Sequence, residues 1–327
     1  MIYRCVNCGG NVIYEPKEGK MKCLSCGGDE CQEMIPAQLP DTCVNCGMQI
    51  PFSQFASAGR CPACGTYLIR DNMVSYPYGP DIIIPFKISK QDAENLLKKE
   101  FGKKLFLPGS FLSEKTLESM RGVYVPFWMY DYNSDIEYSA VGTKVRHWTS
   151  GDRRYTETSY FNVYRRLHVN YDGIPVDASI AMDDTIMDLM EPYAYEQIQN
   201  HDNKFLSGFD SETYNMSPEQ LQPRAVQKVN KSNREWIAHH TSGYTTLTQE
   251  RFNTNNQPTG NKFALLPVWV YEYRYNGENY KFYVNGQTGK CVGKAPLSLG
   301  KAVGLTALLF GSMLVSLNGL ALLLGVL

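Results

Sequence analysis

Residues 43–65 read CVNCGMQIPFSQFASAGRCPACG, and residues 5–27 read CVNCGGNVIYEPKEGKMKCLSCG, which is nearly the same pattern. Each stretch has the spacing C-x2-C-x14-C-x2-C, and the second copy lies 38 positions after the first. Two residues between paired cysteines allow one tight turn to direct both sulfurs at one ion, and this is the four-cysteine spacing of a zinc ribbon. The predicted ligands are Cys5, Cys8, Cys23 and Cys26 in the first unit, and Cys43, Cys46, Cys61 and Cys64 in the second.

Four thiolates complete the tetrahedral shell of Zn²⁺ and leave no open position for water, so both sites are predicted to be structural. The sequence therefore predicts two Zn²⁺ ions per chain. Disulfides in an oxidising compartment and a swapped pairing of the C-x-x-C turns are the alternatives that the spacing leaves open. Cys31 and Cys291 lie outside both units and are interpreted as plain thiols.

The charge of the ribbon region decides which partner is expected. Residues 1–72 contain six Lys or Arg and seven Asp or Glu, a net charge of −1. A module that binds nucleic acid is expected to be basic, because phosphate contacts dominate its affinity. Protein contacts are therefore the favoured role of the ribbons, and nucleic-acid binding is the alternative.

The C-terminal end has the composition of a lipid-facing helix. Residues 302–327 carry no charged side chain. A helix of 26 residues is about 39 Å long, enough to cross a hydrocarbon core of about 30 Å. A membrane anchor over 299–327 is predicted, and a buried core helix is the alternative. Because Lys290, Lys294 and Lys301 precede the span, the positive-inside rule places the N-terminal bulk in the cytoplasm of a single-pass, tail-anchored protein.

Between the ribbons and the anchor, the sequence predicts a β-rich α+β body. The predicted domains are ribbon 1 over 1–30, ribbon 2 over 31–72, the body over 73–298 and the anchor over 299–327. Ser89 is a predicted N-cap of a helix that carries Leu96, Leu97 and Phe101 on one face, and Ser113 begins a short helix through Met120. Residues 135–148 and 153–171 are predicted to be two long strands.

An internal repeat indicates two related β units. VPFWMYDY at 125–132 matches LPVWVYEY at 266–273, with proline, tryptophan and two tyrosines at equal positions. The alternation predicts strands over 124–132 and 264–273, each opening a repeated β-hairpin unit. Packing of these aromatic side chains in a sheet core is favoured over stacking on nucleic-acid bases.

An acidic insertion is predicted over residues 172–222, which contain eleven acids and one cation, whereas residues 223–262 carry a net charge of +4. The acids are expected to lie against basic neighbours in the chain or against a basic partner, and we expect the partner. Catalytic carboxylates are the third interpretation. It is disfavoured because the sequence has no phosphate loop, no H-E-x-x-H and no G-x-S-x-G motif.

Together these features resemble bacterial TFIIB-type zinc-ribbon membrane proteins of the phage-shock-associated type. The resemblance covers nearly the whole chain. Besides the two cysteine units and the apolar tail, it rests on residues 85–111, 122–132, 173–184 and 264–293. It implies that the eight cysteines bind zinc and that the protein helps to hold effectors at the membrane under stress. Such proteins are often labelled replication-restart helicases, a label that the missing ATP-binding loop does not support.

The expected function is that of a non-enzymatic, membrane-anchored scaffold. Its expected partners are membrane lipid, through the C-terminal helix, and cytoplasmic or membrane proteins. A nucleic-acid-binding or replication-linked zinc-ribbon protein is the second hypothesis.

Overall fold

The computed structural model describes residues 1–323, apart from Glu30, Cys31, Gln38, Tyr76 and Tyr78. In this part of the chain the fold is α+β and the body is rich in sheet, as predicted. The strands are β1 (Ile2–Cys5), β2 (Val12–Glu15), β3 (Lys20–Cys23), β4 (Gln32–Ile35), β5 (Ala56–Arg60), β6 (Tyr67–Ile69), β7 (Ile82–Ile83), β8 (Arg121–Ser150), β9 (Arg153–Asp177), β10 (Gln199–Asn200), β11 (Asp210–Glu212), β12 (Thr246–Tyr275), β13 (Glu278–Asn285) and β14 (Cys291–Gly293). The helices are α1 (Asp71–Val74), α2 (Lys90–Phe101), α3 (Glu114–Leu117), α4 (Asp184–Met190), α5 (Pro218–Thr241) and α6 (Leu299–Leu323).

The centre of the body is an antiparallel pair formed by β8 and β12. Its main sheet has the order β10-β7-β12-β8-β11-β5-β6, with β9 added to β8 and β13-β14 added to β12. The two aromatic segments predicted as strands lie in β8 and β12 and pair with each other, so that Trp128 is opposite Phe263 and Trp269 is opposite Gly122. The following strands differ, since β9 has 25 residues and β13 has eight, and a repeated hairpin unit is not confirmed.

Burial changes along β8 because its two faces are covered over different lengths. Both faces are buried from Gly122 to Tyr130, and only alternate residues are buried from there to Gly142. Most of the remaining residues, up to Ser150, are exposed. The two long strands predicted from the sequence are confirmed, and they extend as a ribbon beyond the covered part of the sheet.

One face of the sheet is packed with aromatic side chains. Trp128 and Trp269 are both buried there, and their indole nitrogens donate to the carbonyls of Met216 and Ile88 at 3.0 and 2.9 Å. Phe86 stacks on Phe209 with ring centroids 4.1 Å apart. The prediction that the aromatic stripes form core is confirmed.

The predicted helix after Ser89 is confirmed as α2. The Ser89 hydroxyl accepts from the backbone N–H of Asp92 at 3.2 Å, while Leu97 and Phe101 are buried against the sheet. The predicted helix after Ser113 is shorter than expected, because α3 ends at Leu117.

A long helix that the sequence analysis did not predict, α5, lies on the sheet and is fixed there by a buried polar network. The helix begins with a capping box between Ser217 and Gln220. Asn233, fully buried, donates to Ser134 Oγ at 3.3 Å and to Asn256 Oδ1 at 3.0 Å, and it accepts from Tyr171 at 2.7 Å. Because a buried amide without partners is costly, this network specifies the position of the helix.

Candidate metal centres and the apolar helix

The structure brings the eight predicted cysteines together in two groups of four. Within each group the sulfur atoms lie within 4.8 Å of one another. The Sγ–Sγ distances are 3.7 Å for Cys5–Cys26 and 3.5 Å for Cys8–Cys23. The second group repeats these values, with 3.5 Å for Cys43–Cys64 and 3.7 Å for Cys46–Cys61.

These distances fit a shared metal ion. Zinc–sulfur bonds of about 2.3 Å give a tetrahedron with an edge of about 3.8 Å. A disulfide would require a bond of about 2.05 Å, and the eight cysteines are free. The pairing stays within each sequence unit, so the swapped arrangement is not the one found. The described residues therefore provide two sites compatible with metal ions.

Glycine closes each of the four metal-binding turns. The N–H of Gly47 donates to the Cys43 carbonyl at 2.8 Å, and the N–H of Gly65 donates to the Cys61 carbonyl at 2.9 Å. Both glycines have left-handed backbones, with φ of 74° and 76°, and Gly9 and Gly27 adopt the same conformation with φ of 71°. A side chain would be strained there, which explains why glycine follows each cysteine pair.

Each site has a buried half and a surface half. Cys5, Cys23, Cys43 and Cys61 are buried, whereas Cys8, Cys26 and Cys46 are exposed and Cys64 is half-buried. Cys5 and Cys23 end β1 and β3, and Cys61 directly follows β5. Cys43 directly follows Thr42, which forms an isolated bridge with Gln49. The exposed cysteines lie in the turns. The clusters are therefore held against the fold from one side.

The second cysteine unit is continuous with the sheet of the body. Strand β5, between its two cysteine pairs, pairs with β11, and β11 runs parallel to β8. The N-terminal ammonium group donates to the Ile69 carbonyl at 2.5 Å. The domain boundary predicted at residue 72 stays a prediction. The hydrogen bonds between β5 and β11 cross that boundary.

The first cysteine unit is hydrogen-bonded both to the body and to the second unit. The N–H of Tyr14 donates to the Ser207 carbonyl, and the Ser207 hydroxyl returns a bond of 2.7 Å to the Val12 carbonyl. The Thr66 hydroxyl donates to Asn11 Oδ1 at 3.0 Å and joins the two units. Both metal-binding units are thus parts of one packed assembly.

The residues outside these clusters do not form a further metal-binding group within the described ranges. Burial raises the pKa of the Cys291 thiol to about 11, so it stays protonated at neutral pH. Cys31 lies outside the described residues. Burial lowers the pKa of His201, which contacts Asn203.

The acidic insertion packs on the basic flank that follows it. Arg224 forms ion pairs with Asp184 and Asp188, and Lys228 lies 2.7 Å from both Asp188 and Glu191. Neutralisation of the insertion by a partner stays a prediction, while for these three acids basic neighbours in the chain supply the cations. Their partners come from α5, a helix that the sequence analysis missed although its capping box was readable.

A fully buried carboxyl group lies beside these ion pairs. Asp177 Oδ1 accepts from the N–H of Ser179 at 3.0 Å, while Oδ2 has no hydrogen-bond partner among the described residues. Burial raises the pKa of Asp177 to about 7, and the nearby Asp184 contributes in the same direction.

One helix, α6, is long and apolar enough to cross a membrane. No residue of its window Leu299–Ser316 is buried, and large side chains such as Leu308, Phe310 and Val315 face outward. The helix continues through Asn318, whose side-chain amide donates to the Leu314 carbonyl at 2.8 Å. The last four residues of the predicted anchor lie outside the described part of the chain.

Comparison with known proteins identifies a relative of nearly the same length. A Bacillus subtilis (strain 168) protein, named as uncharacterized protein YdjG, is 35% identical over 335 aligned positions. The alignment covers 99% of this chain and 98% of YdjG. The chain belongs to the YdjG family. No family model matches it, and no solved structure matches it.

The alignment with YdjG runs through both cysteine clusters, the sheet body and α6, since it includes nearly every residue of the chain.

Proposed function

We propose that this YdjG-family chain is a non-enzymatic scaffold that is anchored in the cell membrane and recruits cytoplasmic or membrane proteins to it under envelope stress. The observation that carries the proposal is the combination of two closed four-cysteine clusters, built into a sheet body, with one exposed apolar helix at the end of the same chain. Closed four-thiolate sites hold structure and do not provide an open coordination position for catalysis.

Zinc is the metal that fits the clusters best. The donor set is four sulfurs, and the Sγ distances of 3.5–3.7 Å match a tetrahedral zinc site. When bound, zinc supplies folding free energy to units too small to bury much apolar surface. Cys5, Cys8, Cys23 and Cys26 would hold one ion, and Cys43, Cys46, Cys61 and Cys64 the other.

The exposure of α6 supports the proposed membrane anchoring. Apolar side chains such as Val303, Phe310 and Val315 face outward on this helix, and a lipid environment removes their contact with water. Lys290, Lys294 and Lys301 precede the span, and under the positive-inside rule they support a cytoplasmic location for the ribbons and body in the proposed single-pass topology.

The role in envelope stress rests on the resemblance to TFIIB-type zinc-ribbon membrane proteins of the phage-shock-associated type. The segments that carry it include GVYVPFWMYDY at 122–132 and the NGQTGK turn at 285–290. In the structure the second segment contacts the acidic insertion, because the Gln287 side chain forms hydrogen bonds with the backbone of Ala194 and the side chain of Gln197.

Affinity purification from membranes tests the recruitment role. Three versions of a tagged chain are compared: the full chain, residues 1–298, and residues 1–298 joined to an unrelated membrane helix. We expect the same proteins to accompany the full chain and the helix-exchanged chain in the membrane fraction, and to remain soluble with residues 1–298. Membranes that yield the same protein set with and without the tagged chain would contradict recruitment.

Nucleic-acid binding is the second candidate, and one observation favours it. Trp148 and Tyr155 stack at 5.5 Å near the tip of the β8–β9 hairpin, are partly exposed, and have the Arg146 guanidinium 5.7 Å from the Trp148 ring. Exposed aromatic rings beside cations can stack on bases. Binding of a single-stranded oligonucleotide that weakens steeply with salt would support this candidate.

A further inference from the structure

The outer edge of β9 is an unusually long free strand edge. Within the described residues β9 pairs only with β8, over a register that extends from the hairpin turn to Asp177. Most residues between 153 and 170 are exposed or half-buried. A long free edge presents a row of backbone donors and acceptors, and natural proteins normally interrupt or cover such edges.

The turn of the hairpin determines which backbone groups face outward. Ser150 and Arg153 are paired across a two-residue turn that contains Gly151 with φ of 57°. In such a hairpin the pair that flanks the turn is hydrogen-bonded, and every second pair after it repeats this bonding. The residues between them direct their N–H and C=O groups away from β8; on β9 these are Arg154, Thr156, Thr158, Tyr160, Asn162, Tyr164 and Arg166.

The opposite edge of the same ribbon is protected, which makes the β9 edge distinctive. On β12 the register shifts twice, between Thr248 and Arg251 and between Pro258 and Gly260, and Gln249 has a φ of 52°. Bulges and prolines block the addition of another strand. On β9 the register from Arg153 to Tyr171 contains no shift, and residues 153–171 contain no proline.

The charge of the β9 edge selects its occupant. Four arginines lie on the strand between residues 153 and 170, with Glu157 as the acidic residue of the edge. Arg165 donates to the His240 carbonyl and Arg166 lies 3.6 Å from Glu137, so the charge offered to a partner comes chiefly from Arg153 and Arg154. A second copy of β9 would bring like charges together, which is unfavourable for directly opposed residues. Tyr160 and Tyr164, 73% and 60% exposed, add aromatic area of the kind that anchors protein interfaces.

We propose that the outer edge of β9, residues 153–170, binds an extended acidic segment of a protein partner as an added strand. Main-chain hydrogen bonds would supply the affinity, and the arginines would select acidic side chains. This inference rests on the proposed function for the existence of a partner, and it names the surface and the chemistry by which that partner binds.

The proposal is tested with the full chain in nanodiscs of zwitterionic lipid and a fluorescent peptide of alternating valine and glutamate. Fluorescence anisotropy measures its Kd. We expect the peptide to bind, and we expect its Kd to increase as the salt concentration rises. The same peptide N-methylated at every residue, and a valine–lysine peptide, should not bind, because the first has no backbone N–H donor on either edge and the second is repelled by the arginines. Binding of the lysine or N-methylated peptide with equal affinity would overturn the proposal.

Substitution of Asn162 provides the matched control. Asn162→Pro removes an outward N–H without removing a bond to β8, and it should raise the Kd of the peptide by at least about tenfold. Asn162→Ala keeps that N–H and should leave the Kd unchanged. Displacement of the peptide by a single-stranded oligonucleotide would assign the edge to nucleic acid and overturn the proposal, as would equal Kd values for both variants.

The result separates this inference from the proposed function. If the peptide does not bind but proteins still co-purify with the full chain from membranes, the recruitment role is supported and the partner binds another surface. If the peptide binds but no protein co-purifies with the chain, strand addition at the β9 edge is supported and the recruitment role is contradicted.

Discussion

Arg224 Nη2 on α5 donates to Asp188 Oδ1 on α4 at 2.9 Å. This ion pair joins the most acidic segment of the chain to its basic flank, and only 17% of the Arg224 side chain is exposed. The acidic insertion is therefore part of the packed body at this point. Arg224 is therefore a cation that the chain itself supplies to Asp184 and Asp188.

Replacement of Arg224 by methionine should destabilise the protein. Asp184 and Asp188 would lose a partly buried partner, while the methionine side chain keeps most of the packing. Because both carboxylates remain half exposed, we expect a loss of about 1–2 kcal/mol in the free energy of unfolding. Urea denaturation measures it. Lys231→Met, at an exposed position on the same helix, should be neutral, and equal stability of the two variants would show that the ion pairs contribute nothing.

Replacement of Asp177 by asparagine should change how stability depends on pH. Burial raises the pKa of Asp177 from 3.8 to about 7, so the folded state binds the proton more tightly than the unfolded state. The wild-type protein should therefore lose stability as pH rises from about 4 to about 8, by up to about 4 kcal/mol from this group.

In the Asp177→Asn variant that loss should disappear, so the variant gains stability relative to wild type at pH 8 compared with pH 5. Thermal denaturation at the two pH values measures the difference. The exposed Asp172→Asn is the matched control and should follow wild type. If the stability of wild type and of Asp177→Asn depends on pH in the same way, burial does not raise the pKa of Asp177.

Replacement of either core tryptophan should strongly destabilise the protein. Trp128 and Trp269 are buried, and each indole N–H satisfies a backbone carbonyl. We expect Trp128→Ala and Trp269→Ala to lower the free energy of unfolding by about 3–5 kcal/mol each. Trp236→Ala on the exposed face of α5 should cost under about 1 kcal/mol. Chemical denaturation measures these changes. Similar losses of unfolding free energy for Trp128→Ala and Trp236→Ala would contradict the packing described.

Local patterns in the sequence predicted the parts of the structure that depend on local chemistry. The cysteine spacing predicted both clusters, since paired cysteines and a following glycine define their own turn. Ser89 predicted the start of α2 because an N-cap needs only the three residues after it. The aromatic alternation around Trp128 and Trp269 predicted strands with a buried face.

The unpredicted parts depend on residues that are distant in the sequence. Strand β5 joins β8 through β11, more than 150 positions later, and nothing in residues 56–60 specifies that pairing. Helix α5 was missed because its buried stripe includes polar residues such as Asn233, which only a network from the sheet can satisfy. The free edge of β9 is likewise a property of topology.

Two zinc ions per chain are the property on which the ribbon assignment depends, and elemental analysis of the purified full chain measures it directly. We expect two zinc ions per wild-type chain, one after Cys8→Ser and two after Cys291→Ser, because Cys291 belongs to neither cluster. Wild-type protein purified under reducing conditions that contains no zinc, or one ion that persists in Cys8→Ser, would contradict two independent four-cysteine sites.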